Sequence, residues 1–596
     1  MNITIVKINN LNSTNKNWIS KSKFNNYFFV GENPVLDFEI ESLIGTNSNK
    51  FKYTKIFSKI QYKYVDKYIE FIDSFERERV GSNWWESRLS GKNPWISKFY
   101  LRFCQVKLVE KFLAINTKLD NIFIFIEEDS VFDTLKLLLN NNSIDFREKI
   151  FKNRVNAKLY FIGILKRIMS FFKYSAEYLF YKIISININN FYENSVFVFT
   201  FLDSRCFKEN KFIDPFLGNF INKINLDKNI SFIPVVVNTS IKNIFTFKRW
   251  VKKNNHSFKF LPILYNPLIT IKKLIDDKPF FTNTKIKFLG VSVNYLINKE
   301  ILEEWSDFSL NNFFVQELSK KINYTLQKKL IIYPFENQIW ERLMIKNMDN
   351  KFNNKIYGIQ NAPAPSLSTR FFVSNSNTYN FPLPDLIFVN GKLSYDIFCK
   401  YYEKNILKVS SHFRKINFFP NVEKERIYIK NIFVACSISV NESLELILFV
   451  FKSLNRKSNF VVNIYPHPLA KFDYSNFLLK LKVNDNFRIG NDYNSDMNNN
   501  DFLIFDSSTA GLEGLLNGLT PIFVSHKFSL NVNPSEFDLE STKIVYELDD
   551  LSNFLECSIK NKINSKNALK YFNGNKIDII PEIKLLLKKF FDDKKL

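Results

Sequence analysis

The sequence predicts an α/β protein built as two doubly wound parallel-sheet lobes facing a cleft, with helical insertions in the N-terminal half. Three observations carry this. From Val196 onward, short apolar runs rich in Val, Ile and Phe alternate with helical stretches, the pattern of βαβ units and a parallel sheet. The alternation breaks near Lys415 and resumes at Ile432-Phe433-Val434-Ala435-Cys436-Ser437, so there are two series of strands. At 596 residues the chain exceeds what one core supports, and two or three domains are expected.

Taken in order, residues 1–150 mix short strands (Tyr27–Val30, Ile122–Ile126) with helices and are read as the N-terminal part of the first lobe. Within them Trp84, Trp85 and Trp95 lie close together, flanked by Arg88, Lys92 and Lys98; packing accounts for at least two of the three, and stacking on a ligand is the alternative. Residues 151–190 form an amphipathic basic helical insertion. Over 158–185, Lys166, Ser170, Lys173 and Glu177 recur at helical spacing opposite Ile, Leu, Met and Phe, so this helix is a candidate for lying on an anionic bilayer, with packing on the core as the alternative. Residues 191–420 carry the first series of strands, Val196–Phe201, Phe232–Val237, Phe260–Leu264, Leu330–Tyr333, Ile356–Ile359 and Leu386–Val389. Lys415–Lys424, with Pro420, is the linker. Residues 421–575 form the second lobe, with helices at Glu442–Leu454 and Tyr474–Leu481 and an Asn-rich loop at Asn491–Asn500. Residues 576–596 are a C-terminal helix, lysine-rich over Ile583–Leu596.

Composition narrows the class. Hydrophobic residues at 45% exclude general disorder. The net charge of +24 reads as diffuse surface lysine or as attraction to an anionic partner; no aromatic–basic repeat or zinc spacing favours nucleic acid. Five scattered cysteines without a CxxC suggest neither disulfides nor zinc and fit a reducing cytoplasm. The first residues lack a signal-peptide pattern, and no 18-residue uncharged apolar run predicts a membrane span.

Chemistry concentrates between Phe460 and Val524. The strand Phe460–Ile464 delivers His467 and Pro468, and the strand Asp501–Phe505 delivers Asp506, Ser507, Ser508 and Thr509, followed by a helix that carries Glu513. Ligands of open α/β sheets sit beyond the carboxyl ends of strands, and a helix start lined with hydroxyls suits phosphate. An imidazole and a hydroxyl trio at adjacent strand ends would form a cradle for a nucleotide's phosphates. In the first lobe, Glu336 follows the strand Leu330–Tyr333, with Glu341 and Asp203 as further carboxylates. Arg370, after a Pro-rich turn, is a candidate for holding a carboxylate. His256, His412 and His526 have no comparable setting and read as structural or exposed. No Asp-x-Asp is placed at a strand end to argue for a metal.

Two sequential α/β lobes, His-Pro in the second, and Ser-Ser-Thr with a following Glu and Gly-x-x-Pro together resemble glycosyltransferases of the GT-B architecture. The pairing of His467-Pro468 with Ser507-Ser508-Thr509 is similar to enzymes that use cytidine nucleotides: bacterial sialyltransferases, capsule Kdo transferases and teichoic-acid polyol-phosphate polymerases. The middle of the chain resembles surface carbohydrate biosynthesis proteins through Tyr333-Pro334-Phe335-Glu336-Asn337-Gln338-Ile339-Trp340-Glu341, Tyr357-Gly358-Ile359-Gln360-Asn361, Phe381-Pro382-Leu383-Pro384-Asp385 and Val389-Asn390-Gly391. The resemblance implies a cytoplasmic glycosyltransferase of lipopolysaccharide or capsule synthesis, peripheral on the inner membrane. Its donor would be a CMP-activated acidic sugar bound by the second lobe, and its acceptor lipid-linked or an oligosaccharide held by the first. His467 and the 507–509 hydroxyls would contact the donor phosphate, Glu513 the donor ribose, and Glu336 would act as base. No metal and no cofactor beyond the sugar nucleotide is implied. Relatives carry His after the Gly-x-Gln, where this chain has Asn361, so an imidazole role beside Gln360 is lost. A CDP-polyol phosphotransferase and a non-catalytic assembly protein remain alternatives.

Overall fold

In the computed structural model, the described residues are 3–557 without 46–47, 76–83, 117–120, 152–154, 186–190, 209–210, 215, 218–229, 238, 277–284, 308, 325–327, 349–353, 375–380, 411–429, 456, 491–492, 494–495, 498–499 and 538. The linker at Lys415–Lys424, His412, most of the Asn-rich loop and the C-terminal helix lie outside them.

Three parallel sheets carry the fold, one more than the two predicted. The first holds β1 (Ile3–Lys7), β2 (Asn26–Val30), β3 (Asn49–Lys50), β4 (Ile122–Ile126) and β5 (Phe146–Ile150), in the order β3-β2-β4-β1-β5. Residues 1–150 thus build a sheet of their own, and share a core with the second sheet without joining it. That second sheet starts at β6 (Val196–Leu202). A short antiparallel ribbon comes next, β7 (Phe207–Lys208) with β8 (Lys211–Phe212), then β9 (Ile230–Val236) and β10 (Ser257–Phe258). After a second ribbon, β11 (Lys287–Phe288) with β12 (Val291–Ser292), come β13 (Leu330–Phe335), β14 (Lys355–Gln360), β15 (Leu386–Asn390) and β16 (Leu407–Ser410). The order β10-β9-β6-β13-β14-β15-β16 puts the first and fourth of its strands side by side in the middle. The third sheet repeats this. Its strands are β17 (Lys430–Ala435), β18 (Phe460–Tyr465), β19 (Phe487–Ile489), β20 (Phe502–Phe505), β21 (Thr520–Val524) and β22 (Lys543–Val545), in the order β19-β18-β17-β20-β21-β22. The third sheet has the 3-2-1-4-5-6 order of doubly wound dinucleotide-binding sheets, the second has the same order with a seventh strand at its edge, and each has its switch point between strands one and four.

Period-two alternation explains why these segments are strands buried on both faces. Along β6, Val196, Val198 and Leu202 enter one core while Phe197 and Phe199 enter the other. In β17, Ile432 and Val434 point one way and Phe433 and Ala435 the other. A one-residue slip would exchange the two sets, so the packing fixes the register. The stretch Phe260–Leu264, expected as a strand, is instead a 3₁₀ turn over Leu261–Leu264, with the strand ending earlier at Phe258. Pro262 lacks the N–H that a ladder position needs.

The first sheet is tied to the second by charge as well as by core. Arg102, 2% exposed on the helix Phe99–Ile115, pairs with Glu32 at 2.9 Å, Glu300 at 3.1 Å and Glu303 at 2.8 Å. Burial favours the neutral form of Glu300 and raises it to about 7, with the Arg102 charge pulling the other way. Trp84 and Trp85 are buried in the same junction, and the Arg342 guanidinium lies over the rings of Trp85 and Phe381. They pack.

Replacing Arg102 with Met strands a group of buried carboxylates without their cation. We expect a loss of about 3–5 kcal/mol, the usual cost of breaking a buried ion pair from one side. It should be read as a lowered urea midpoint for the junction of the first and second sheets; an unchanged midpoint would show the pairs to be dispensable.

Candidate functional site

The switch point of the third sheet lies between β17 and β20. Beyond β17 comes Ser437, whose hydroxyl donates to Glu442 at 2.7 Å in the first turn of the helix Val440–Leu454. Beyond β20 come Asp506 and Ser507. Asp506 is fully buried, and neither of its carboxyl oxygens nor the buried Ser507 hydroxyl has a hydrogen-bond partner among the described residues. Beyond β21 comes His526, also fully buried. Its Nδ1 sits 2.9 Å from the Glu445 carboxylate and its Nε2 3.9 Å from Asp506. The main-chain N–H of Lys527 donates to the other Glu445 oxygen at 2.5 Å.

These groups titrate together. Burial pushes Asp506 up to about 8, with His526 opposing. Burial alone would lower His526, but the facing Glu445 and Asp506 carboxylates hold it up to about 9. Burial thus favours the neutral form of Asp506, while the facing carboxylates favour the charged imidazole, whose charge is met by Glu445 at 2.9 Å. Glu442, Asp506 and His526 bring one ligand atom each within 4.8 Å of one another, which makes them the described residues that could take a cation.

His467 and the 507–509 hydroxyls are not on neighbouring strands. β17 runs between β18 and β20, so Ser437 and its loop occupy the place between them. His467 is half-buried, and its Nδ1 accepts the Leu469 N–H at 3.2 Å; Pro468 is exposed. The helix Ala510–Leu516 is only seven residues long. The Thr509 side chain makes no capping bond, its carbonyl accepting the Leu512 and Glu513 N–H groups at 3.1 and 3.3 Å, and the Ser508 hydroxyl accepts from Ala510 at 3.3 Å. Ser508 and Thr509 are partly exposed, as is Glu513, which accepts from the Tyr493 hydroxyl at 3.1 Å. The helix lies flat on β20 because Gly511 and Gly514 present no side chain to Phe505 and Leu503; a Cβ at either would overlap them.

At the second sheet's switch point, between β6 and β13, the three carboxylates divide by role. Asp203 is buried and bound to Arg205, accepting its main-chain N–H at 2.7 Å and its guanidinium at 2.6 Å. Glu341 is buried beneath the turn after β13 and accepts the Glu336 and Asn337 N–H groups at 3.2 and 2.8 Å; burial raises its carboxyl well above the ordinary range. Both hold backbone. Glu336 itself is half-buried, accepts from Gln338 at 2.6 Å and faces the Arg370 guanidinium at 3.4 Å, which stacks over Trp95. Gln360 joins β14 to β15, accepting the Asn390 N–H at 2.8 Å and donating to Ala362 at 2.8 Å, and Asn361 beside it is half-buried. The Asn390 side chain is fully buried without a partner among the described residues.

Two contacts join the carboxyl ends of these sheets. Glu536, after β21, accepts the Ser366 N–H and hydroxyl at 2.5 and 2.7 Å in the segment after β14. Leu512 and Leu515 of the glycine-backed helix bury against Leu393, in the helix that follows β15. Ser437, Glu442, Glu445, Asn390 and His526 are site residues that the sequence does not single out. His526 reads there as structural or exposed, whereas it is the buried centre of a polar cluster. A His two residues beyond a strand that neighbours the Asp506 strand is the signal that could have found it.

No family model and no curated protein matches the chain. Among solved structures it is similar to UDP-GlcNAc 2-epimerase from Neisseria meningitidis bound to UDP-GlcNAc (12% identity, 65% of this chain and 99% of that one, TM-score 0.38). It is also similar to UDP-GlcNAc 2-epimerase from Methanocaldococcus jannaschii (12%, 66% and 99%, 0.37) and to the calicheamicin glycosyltransferase (10%, 67% and 98%, 0.37). The two-lobe architecture rests on the sheet orders and not on these likenesses.

The proton count of the buried cluster sets a pH dependence. His526 is raised from 6.5 to about 9 on folding, so its contribution to stability is complete below pH 6.5 and is lost as pH climbs through 9. The melting temperature of the native protein, minus that of His526→Gln, is expected to shrink across that window. A difference that stays constant or grows would contradict the assignment.

Proposed function

We propose that the protein is a glycosyltransferase of the GT-B type that moves a sugar from a nucleotide donor to a growing surface polysaccharide of the lipopolysaccharide or capsule kind. The observation that carries this is the tandem of two sheets in a doubly wound order whose carboxyl-end loops touch through Glu536 and Ser366: the switch point of one ends in unpartnered buried polar groups, that of the other in a half-buried carboxylate. The donor would sit over Ser437 and Asp506–Thr509, with its phosphates near Ser507, Ser508 and His467 and Glu513 toward the ribose. The unpartnered Ser507 hydroxyl beside Asp506 is the donor left free for such a phosphate. The resemblance of the His467-Pro468 and Ser507-Ser508-Thr509 motifs favours a CMP-activated acidic sugar of the Kdo or sialic kind.

Glu336 is the carboxylate left for proton abstraction from an acceptor hydroxyl, because Asp203 and Glu341 already hold backbone and Arg205. Arg370, 3.4 Å away, would orient it. Asn390, Gln360 and Asn361 border the acceptor side. We read the transfer step as needing no divalent ion, with turnover unchanged in chelator.

The test has two parts. A thermal-shift screen against CMP, CDP, UDP, GDP and ADP should raise the melting temperature most with a cytidine nucleotide, since a ligand of the native state stabilises by mass action. Glu336→Gln should keep that shift and lose about two to four orders of magnitude in turnover, the usual share of a general base. No shift with any nucleotide, or near-normal turnover of the variant, would refute the reading. A product that gains phosphorus would assign the polyol-phosphate chemistry instead.

A further inference from the structure

The helix Val155–Ile184 has two apolar faces, and the described residues cover only one of them. Its inner face is well occupied. Gly163 lies against the Trp305 indole, closely enough that a Cβ would overlap the ring. The Arg167 guanidinium stacks 4.0 Å from the same ring and donates to the Trp305 carbonyl at 2.5 Å. Tyr174 accepts the Leu310 N–H at 3.2 Å, Ser175 meets the Tyr265 hydroxyl at 2.8 Å, and Tyr181 stacks on Phe260.

On the opposite side Phe161, Leu165, Ile168, Phe172, Leu179 and Ile183 recur at intervals of three, four and seven residues, a single stripe half a turn from Gly163, Tyr174 and Tyr181. They stand in solvent: Phe172 is 67% exposed, Ile183 66% and Phe161 61%, with Met169 at 68% on the edge. Single exposed apolar residues are ordinary on a protein surface, but a continuous stripe along a helix marks an interaction surface. The neighbouring helix Pro267–Asp276 adds exposed Leu268 and Ile271. Along the stripe's margins the helix carries exposed Lys166, paired with Asp307 at 3.0 Å, Lys173, 3.9 Å from Glu177, and Lys182.

We propose that this outer face docks on an anionic lipid bilayer, with the stripe sunk to the acyl boundary and the marginal lysines among the headgroups. No described helix is long and apolar enough to cross a membrane, so the contact is interfacial. Charge decides among the occupants. A second copy would set the same lysines against each other. The chain's own segment from Ile583 to Leu596 brings Lys584, Lys588, Lys589, Lys594 and Lys595 against two aspartates, again like charge on like. An anionic surface answers both the lysines and the net charge of +24. Bilayer docking stands apart from the transfer chemistry, because it needs no nucleotide.

Flotation of the full chain with vesicles tests it. The protein should rise with phosphatidylcholine–phosphatidylglycerol vesicles, rise much less with phosphatidylcholine alone, and detach partly in high salt. Phe161→Asp, Phe172→Asp and Ile183→Asp combined should cut binding on the order of tenfold or more, since they remove stripe area and add charge of the wrong sign. Those positions are exposed, so the variant should keep the parent's melting temperature and any nucleotide-induced shift. Leu479→Asp, at an equally exposed leucine elsewhere, should bind as the parent does. Failure of the parent to float, equal binding by the triple variant, or a parent dimer by light scattering that the triple variant dissolves would each overturn the proposal.

Discussion

One segment holds the three sheets in their relation, and it depends on a buried ionic contact. The stretch after β21, residues 525–536, starts with His526 clamped to Glu445 at 2.9 Å inside its own lobe. Five residues on, Asn531 accepts the His526 N–H at 2.6 Å and the Ser525 hydroxyl at 2.9 Å, which folds the segment back on itself. Gln61, from the helix Thr54–Ser74 of the first region, receives the Asn531 N–H at 2.8 Å and donates to the Ser529 carbonyl at 3.1 Å. Phe528 packs into the core of the first sheet. The segment ends at Glu536, which binds Ser366 of the second sheet's loops. A buried charged pair is costly unless its geometry is satisfied, and here the imidazole is held between two carboxylates while each oxygen of Glu445 accepts a hydrogen bond. Should that pair open, the segment would lose its anchor, and with it the contacts to Gln61 and Ser366 that join the third sheet to the other two.

The same logic divides the ionisable groups of the switch points. Carboxylates that are buried and bound to main-chain N–H groups, Asp203 and Glu341, shape turns. Glu336 and Glu513 are partly exposed and are bound by side chains, Gln338 and Arg370 for the one and Tyr493 for the other. Asp506 belongs to neither set. It is buried, unpaired by hydrogen bonds and driven toward its neutral form, which is an expensive arrangement for a purely structural residue. Its place directly under Ser507 ties that cost to whatever binds above.

Much of this is legible in the sequence, for definite physical reasons. Strands buried on both faces are short apolar runs, so β6, β13, β17, β18 and β20 stand out by composition. The order of strands is less legible, because it depends on where each crossover lands; that is why His467 and Ser507 read as neighbours when β17 separates them. His526 reads as unremarkable because its partner, Glu445, lies 81 residues away on a helix that shows only an apolar face. The sheet built by residues 1–150 is hidden for a related reason: its strands are short, and long helices divide them. The apolar content of 155–184 is visible, but only the packed structure separates its covered stripe from the bare one.

The central claim is that a nucleotide binds over the β17–β20 switch point. Photolabelling with an azido-cytidine diphosphate, followed by peptide mapping, tests it most directly. Label is expected on the segments around Ser437–Glu442 and Asp506–Gly511, competed by unlabelled nucleotide. Label confined to the first sheet, or saturable label that leaves both segments untouched, would contradict it.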